Sequence, residues 1–241
     1  MITKTRGIVF RAIKYGETSL ITEVYTEEMG LQKYIINGVR SSKAKTKASL
    51  LQVMSLLDMV VYQRMDKQIN RIKEIKPAYI FQQVPFDIRK GAIGLFMVEM
   101  ARKTIREEEA NPRLFNFLFD AFCFLDTTSS PIANYHLCYL LQLSQYLGFA
   151  PGGRYGAETP VFDLREGLFV AGTPTNQAYI SGKESAFLYA LMQSTMDNAH
   201  EVNIPADSRR ELLRHLIDFY RLHIENLPTI NSHEILREVF E

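Results

Sequence analysis

Apolar and polar residues alternate through the first third of the chain, and a period of two predicts β-strands. Along residues 19–26, Leu, Thr and Val alternate with Ile, Glu and Tyr. Gly30 and Asn37-Gly38 mark turns, because glycine tolerates positive φ. Short strands expose less edge when they close into a barrel. The pattern therefore predicts an OB-type barrel, although an SH3-like barrel fits it almost as well. The five predicted strands are 6–15, 19–26, 31–36, 54–63 and 69–75.

The spacing changes to a helical one after about Phe86. Ile93, Phe96, Met97 and Met100 recur at i, i+3, i+4 and i+7, which is typical of one helix face. Gly148 is a typical helix end. Caps followed by proline, or capping boxes, predict helix starts at four places, 111–112, 130–131, 181–184 and 208–211.

Residues 149–180 interrupt the helical pattern. Their glycines and Pro151 break helices, and two apolar runs, 161–164 and 168–170, flank Arg165-Glu166-Gly167 as in a β-hairpin. The predicted fold class is therefore α+β. We expect a five-stranded OB-type barrel over residues 1–80, followed by an all-α domain over 81–241 with an inserted hairpin.

Charge is distributed unevenly along the chain. The net charge is only +1, yet residues 1–80 hold 14 lysines and arginines against 7 acids, and the remainder holds 14 against 20. Such asymmetry suggests that the basic third prefers a polyanion. Its densest part is residues 40–47, where four cations are uninterrupted by acids and hydroxyls are interspersed. Flexible ammonium groups suit contacts with the nucleic-acid backbone.

The sequence thus predicts a DNA-binding surface on the barrel. Tyr15, Tyr25, Tyr34 and Tyr62 are candidates to stack bases or to pack the barrel interior. The cationic residues predicted to bind DNA are Arg6, Arg11, Lys14, Lys33, Arg40, Lys43, Lys45, Lys47, Arg64, Lys67 and Arg71.

Catalytic motifs are missing from the sequence. It contains no GxSxG, Gly-rich phosphate loop or HExxH, and Ser194 has no neighbouring base. Cys123 and Cys138 lie in apolar helical segments without companion ligands. Their scarcity is typical of a reducing cytoplasm, and there is no long apolar run that would span a membrane. We therefore expect a cytoplasmic, nucleoid-associated protein that is not an enzyme.

Several short motifs resemble the RecO recombination mediators in the same order along the whole chain. Most lie in the N-terminal third, and the later ones precede the hairpin or begin the last helix. The resembling motifs are Gly16-Glu17-Thr18-Ser19-Leu20, Tyr25-Thr26-Glu27-Glu28-Met29-Gly30, Asn37-Gly38-Val39-Arg40-Ser41-Ser42, Leu50-Leu51-Gln52, Tyr146-Leu147-Gly148-Phe149 and Ser232-His233-Glu234-Ile235-Leu236.

This resemblance implies an OB barrel, a helical C-terminal domain, and a role in DNA repair and recombination. It implies binding of single- and double-stranded DNA, strand annealing, and recombinase loading together with RecR. It also implies docking of the C-terminal tail of single-strand-binding protein, for which we expect an apolar groove with a cationic rim on the helical domain. Candidate rim residues are Arg102, Lys103, Arg106, Arg209, Arg210 and Arg214.

One departure from the family concerns zinc. Many RecO proteins carry four cysteines after the Leu-Gly-Phe element, whereas residues 150–170 contain neither cysteine nor histidine. We expect no metal and no cofactor, with the hairpin held by Val161, Phe162, Leu168 and Phe169. Two other functions stay open: a protein-interaction scaffold whose barrel does not bind nucleic acid, and a hydrolase or transferase.

Overall fold

The computed structural model describes residues 1–39, 48–62 and 69–240. The chain forms two compact units, one of residues 1–86 with 105–127 and the other of residues 87–104 with 128–241. We call them the barrel unit and the helical unit. The division of the sequence at residue 80 stays a prediction about its domains.

Five strands close into a barrel, which confirms the predicted fold. They are β1 (Ile2–Tyr15), β2 (Ser19–Thr26), β3 (Gly30–Ile36), β4 (Leu56–Tyr62) and β5 (Asn70–Tyr79). The strand order is β1-β2-β3-β5-β4, and β4 pairs back onto β1. All neighbouring pairs are antiparallel except β3 and β5, which are parallel. Closure reduces the exposed strand edge, although β3 and β5 pair only at Tyr34 with Asn70 and at Ile35 with Arg71.

β1 is longer than predicted because it pairs with two strands. Its first half pairs with β4, from Ile2 to Ile8, and its second half pairs with β2, from Gly7 to Tyr15. A Cβ atom at Gly7 would lie 2.6 Å from the Val24 side chain, so glycine permits the strands to approach closely here. The polar run before Gly7 concealed this half of the strand in the sequence.

The barrel interior is filled by one face of each strand. β2 contributes Leu20 and Val24, as its alternation predicts, and Tyr34 lies fully buried on β3. Leu51, in a short 3₁₀ helix (Ala48–Leu51), closes part of this core. β5 continues past the predicted end and includes Pro77. A register irregularity beside Leu57, the partner of Pro77, accommodates the missing N–H.

Six α-helices occur in the described part of the chain. Helix α2 belongs to the barrel unit and the others belong to the helical unit. They are α1 (Ile88–Thr104), α2 (Pro112–Thr127), α3 (Tyr135–Tyr146), α4 (Lys183–Met192), α5 (Ala206–His223) and α6 (Ser232–Val239). None of the described helices is long and apolar enough to cross a membrane.

Asp126, which is fully buried, fastens helix α2 to the end of β5 and the residues that follow it. Its carboxylate accepts hydrogen bonds from the backbone N–H groups of Gln82, Gln83 and Val84, each at 2.8 Å. The hydroxyl of Tyr79 donates a fourth, also at 2.8 Å. Burial raises the pKa of Asp126, but these hydrogen bonds outweigh it and the net pKa is lowered.

The helix-start predictions are confirmed at 111–112 and at 181–184, where α4 begins at Lys183, and they miss the observed starts of α3 and α5. The Asn111 side chain accepts the backbone N–H of Leu114 at 3.1 Å, so it caps α2. Helix α3 begins at Tyr135, four residues after Pro131. Helix α4 has no side-chain cap, and α5 begins after Pro205, so Ser208 is not its cap. The left-handed φ of Gly148, +87°, confirms the predicted end of α3.

The predicted hairpin is confirmed and belongs to a three-stranded sheet. β6 (Val161–Asp163) pairs with β7 (Leu168–Val170) on one side and with β8 (Tyr179–Ile180) on the other. Gly167 adopts a left-handed φ of +67° at the hairpin turn.

Candidate nucleic-acid interface and peptide pocket

The outer face of the barrel carries one continuous row of cross-strand partners. Ile13 pairs with Ile21, Ile21 with Ile35, Ile35 with Arg71, and Arg71 with Tyr62. Partners in register project to the same side of a sheet, so we call these five residues the outer row. Ile13 and Tyr62 are 41% and 42% exposed. The row therefore presents apolar surface to solvent next to a guanidinium.

A second, charged row runs beside it. Arg11 pairs with Glu23, and Glu23 pairs with Lys33. Arg11 and Lys33 are exposed, while Glu23 between them is half-buried. The predicted cations Arg11 of β1, Lys33 of β3 and Arg71 of β5 thus lie on one surface, but Glu23 of β2 separates the first two. Lys14 is exposed near the end of β1, opposite Leu20.

The four candidate tyrosines divide into two pairs. Tyr25 and Tyr34 are buried, and burial raises the pKa of both hydroxyls. Tyr34 packs the barrel interior, as the alternative interpretation held, whereas Tyr25 stacks on Phe10 at 5.7 Å and contacts Phe115 of α2 at 6.2 Å. Tyr15 and Tyr62 are 55% and 42% exposed, so only these two present a ring to a base.

Arg6 is held inside the barrel unit. Its Nε and Nη2 donate to the Glu27 carboxylate at 2.8 and 2.6 Å, and Nη2 also donates to the Asn116 side chain at 2.6 Å. Its guanidinium lies 5.1 and 4.9 Å from the ring centroids of Phe115 and Phe119. The hydrogen bond from Arg6 lowers the pKa of Glu27. These contacts indicate that Arg6 fastens α2 to the strands.

A groove of about 830 Å³ lies over β1, β4 and β5. Cations and acids alternate in it, and ion pairs join Lys76 to Asp58 and Lys73 to Glu74. Its charges nearly cancel, so this groove attracts a polyanion less than the outer row does. Its charged lining residues are Lys4, Arg6, Lys73, Lys76, Glu27, Glu28, Asp58 and Glu74.

The remaining predicted cations lie outside the described residues. Ile36 ends β3 shortly before residues 40–47, and Tyr62 and Asn70 flank residues 63–68. The cations in these segments are Arg40, Lys43, Lys45, Lys47, Arg64 and Lys67.

The helical unit contains a pocket of about 360 Å³ between α3, α5 and α6. Leu213, Leu236 and Phe240 supply apolar lining. Arg209 is half-buried, and its Nη1 donates to the carbonyl of Ile204 at 3.1 Å. Burial, and then the neighbouring charge of Arg210, lower the pKa of Arg209. The pocket thus places a poorly solvated cation beside apolar walls. The cationic lining residues are Arg209, Arg210, Arg214 and Arg237.

Two histidines line the same pocket. The Nδ1 atoms of His136 and His233 are buried and have no hydrogen-bond partner. His136 lies edge-on to Phe96 at 6.2 Å and near Phe240 at 6.3 Å. Burial, and then Arg209, lower the pKa of His136 to about 3, so its imidazole is neutral near pH 7. Unsatisfied buried nitrogens favour a ligand with hydrogen-bonding groups.

The structure brings three of the six predicted partner cations together. Arg209, Arg210 and Arg214 line the pocket, whereas Arg102, Lys103 and Arg106 do not. Sequence reasoning missed the contribution of α6. The spacing of Leu236 and Phe240, with Arg237 between them, was a signal of one apolar helix face with a cation beside it.

Comparisons with known proteins match the whole chain. The family model described as Recombination protein O N terminal matches residues 1–81, and that described as Recombination protein O C terminal matches residues 85–232. Relatives called DNA repair protein RecO are 37% identical in Christiangramia forsetii, 36% in Flavobacterium johnsoniae and 34% in Bacteroides fragilis. Each alignment covers 100% of both chains.

The chain belongs to the RecO family. It is therefore a RecO-family DNA repair protein, which is consistent with a recombination mediator. The resemblance drawn from short motifs is confirmed over both halves of the chain.

The RecO zinc site does not fit the residues of this chain. Phe162 and Phe169 are buried and contact each other at 5.0 Å, and Phe162 contacts Phe219 of α5 at 6.0 Å. Asp163 accepts the backbone N–H of Arg165 at 2.8 Å. Contacts between aromatic rings and the hydrogen bond to Asp163 therefore stabilise the small sheet. Val161, Phe162 and Phe169 are buried, as predicted. The fourth predicted packing residue, Leu168, is 46% exposed, so that part of the prediction is wrong.

In residues 1–39, 48–62 and 69–240, no group of three His, Cys, Asp or Glu side chains is placed to hold a metal ion. His223 is instead stacked on Phe149 at 5.4 Å, and its Nε2 lies 3.0 Å from the carbonyl of Leu164.

Proposed function

We propose that this RecO-family chain is a non-enzymatic recombination mediator that binds single- and double-stranded DNA and anneals complementary strands. The outer row is the observation that carries the proposal. It places isoleucines and Tyr62 in register with Arg71, beside Arg11 and Lys33.

This surface combines the two interactions that single strands need. Apolar and aromatic side chains contact base faces, while cations contact phosphates without reading sequence. The segments 40–47 and 63–68 follow β3 and β4 in the sequence and contain six further cations. A surface of this kind holds two DNA strands by their backbones and leaves the edges of their bases free to form base pairs.

The same proposal includes partners. We infer that the chain acts with RecR to load the recombinase onto single strands coated by single-strand-binding protein. The acidic, aromatic-ended tail of that protein docks in the helical-unit pocket. The apolar lining suits an aromatic ring, and the unpartnered nitrogens of His136 and His233 suit a polar terminus. Arg210 and Arg214 pair with Asp207 and Glu211, which also line the pocket, so Arg209 is the cation that best suits a carboxylate of the peptide.

The state of the nucleophile candidates supports action without turnover. The Ser194 hydroxyl, just past the end of α4, donates to the carbonyl of Ala190 in that helix at 2.9 Å. Burial raises the pKa of the Cys138 thiol to about 12 and that of Cys123 to about 11. Thiols with such pKa values are poor nucleophiles near neutral pH. A cytoplasmic, nucleoid-associated location goes with this proposal.

Strand annealing tests the proposal directly. Complementary oligonucleotides coated with single-strand-binding protein are mixed with the wild-type chain or with a variant carrying Arg11→Glu, Lys33→Glu and Arg71→Glu. We expect the wild type to accelerate annealing and the variant to lose most of that effect. A matched control carries Lys4→Glu and Lys76→Glu in the neutral groove and should anneal normally. Full annealing by the variant with Arg11→Glu, Lys33→Glu and Arg71→Glu would contradict the proposed interface.

A second function, a protein-interaction scaffold, is favoured by one observation. Glu23 lies between Arg11 and Lys33 and offsets part of their charge. Fluorescence anisotropy with a labelled oligonucleotide separates the two functions. Binding that weakens steeply with salt supports DNA recognition, and a lack of binding at low salt supports the scaffold.

A further inference from the structure

We propose that Glu99 of α1 is a positioning residue for the peptide pocket, because it fixes helix α6 where α6 forms one wall. This inference rests on the proposed docking of an acidic tail in that pocket. Glu99 itself does not line the pocket.

The Glu99 carboxylate is bonded to the start of α6. It accepts the backbone N–H of Asn231 at 3.1 Å and that of Ser232 at 2.7 Å, and the Ser232 hydroxyl also donates to it. Lys103 completes the arrangement by donating to Glu99 and to the carbonyl of Thr229. The Glu99 and Lys103 side chains are only 17% and 13% exposed.

Helix α6 depends on such external support. It spans eight residues, Ser232–Val239, and Asn231 gives it no side-chain cap. Helices this short are not stable by themselves in water. A carboxylate at the N-terminus satisfies free N–H groups and interacts favourably with the helix dipole. The other anchor is Leu236, the buried apolar residue of α6.

The position of α6 determines the shape of the pocket. Four lining residues, His233, Leu236, Arg237 and Phe240, come from α6 or the residue that follows it. The positions of the α5 arginines do not depend on α6, whereas the apolar lining from Leu236 and Phe240 does. The structure thereby assigns Lys103, a predicted partner contact, to support of Glu99 rather than to the pocket.

The experiment compares full-length wild type with Glu99→Ala, Glu99→Gln and the matched control Glu238→Ala, which removes an exposed acid from α6. The probe is a fluorescein-labelled, aspartate-rich eight-residue peptide that ends in phenylalanine with a free carboxylate. We expect Glu99→Ala to raise the Kd about tenfold or more. Glu99→Gln keeps one carbonyl acceptor, so its Kd for the peptide should lie between those of the wild type and Glu99→Ala. Glu238→Ala, and DNA affinity in all variants, should change by less than about twofold.

Two readouts separate positioning from general destabilisation. Amide hydrogen exchange at residues 232–236 should accelerate in Glu99→Ala while exchange in α3 and α5 stays unchanged. In a double-mutant cycle with Phe240→Ala, the loss caused by Glu99→Ala should become much smaller, because the wall that it positions is already impaired.

Wild-type peptide affinity in Glu99→Ala, or additive losses with Phe240→Ala, would overturn the inference. If the wild type does not bind the peptide, the docking proposal fails. Exchange at residues 232–236 then still decides whether Glu99 holds α6, and unchanged protection in Glu99→Ala would refute that role.

Discussion

The two units present their candidate surfaces in different ways. The barrel unit displays a row of side chains fixed by strand register, from Ile13 across to Tyr62. The helical unit instead forms a concave pocket from three helices, and one of them, α6, is held by Glu99. The barrel surface needs only correct pairing of neighbouring strands. The pocket needs a contact between residues 133 positions apart in the chain.

This difference shows how each surface fails. A substitution in the outer row changes the surface at that position, because neighbouring strands hold the backbone. A substitution that releases α6 alters the whole pocket at once.

Charge reversal within residues 40–47 should weaken DNA binding most. Changing Lys43, Lys45 and Lys47 to glutamate should reduce single-strand affinity by on the order of 100-fold at low salt, because released counterions no longer drive binding. The slope of log affinity against log salt should become shallower by roughly 2, from about −3.5 for five phosphate contacts. Anisotropy titrations at several salt concentrations measure both. Unchanged affinity would move the DNA site elsewhere, and peptide binding is the control.

Loss of a pocket arginine should affect the peptide alone. Arg209→Gln removes a poorly solvated cation from the pocket, and charged hydrogen bonds contribute about 1.5–3 kcal/mol. We expect the Kd for the acidic, phenylalanine-ended peptide to rise roughly tenfold or more. Arg102→Gln, which lies outside the pocket, should bind normally. Equal losses in both variants would indicate nonspecific charge attraction.

Removal of the Asp126 carboxylate should destabilise the barrel unit. Asp126→Ala removes the acceptor of three backbone N–H groups, of which that of Val84 is buried, and an unpartnered buried N–H costs about 1–3 kcal/mol in the free energy of unfolding. The pKa of Asp126 is lowered in the folded chain, so its stabilisation is present above its ordinary pKa and is lost as pH falls through the folded value. Denaturant unfolding at neutral and acidic pH measures this. An identical pH dependence in wild type and variant would contradict the role.

The smallest effect should come from the outer row. Ile13→Ser removes partly exposed apolar surface, worth about 0.5–1 kcal/mol of contact with a base. We expect single-strand affinity to fall about two- to fivefold, with unchanged duplex affinity and unchanged stability. Ile80→Ser, at an exposed position after β5, is the matched control. A similar loss for duplex DNA would show that the row does not contact bases.

Local patterns in the sequence predicted most of the fold. Alternation gave β2 and its buried face, and the helical spacing gave α1, because burial on one face imposes a period on neighbouring residues. Asn111 was recognised as a cap because its contacts are local. Capping failed at Ser208, whose hydroxyl instead donates to Glu184 of α4 at 3.1 Å. Such a partner is distant in the chain and leaves no local pattern.

The candidate site was predicted unevenly for the same reason. Arg11, Lys33 and Arg71 lie on strands of the barrel, and their contact with DNA stays a prediction. Arg6 belongs to the same predicted set, yet the structure engages it with Glu27 and aromatic rings of α2. The role of Asp126 was missed, because a buried carboxylate is recognised only by the donors that surround it.

The sequence by itself determined most of the strands and helices, the basic character of the first third, and the absence of cysteine and histidine from residues 150–170. These properties depend on residue type and short-range spacing. Only the tertiary structure decided which tyrosines are exposed, which arginines meet in a pocket, and how α6 is anchored. Those outcomes depend on hydrogen bonds and packing between residues far apart in the chain, which local spacing does not specify.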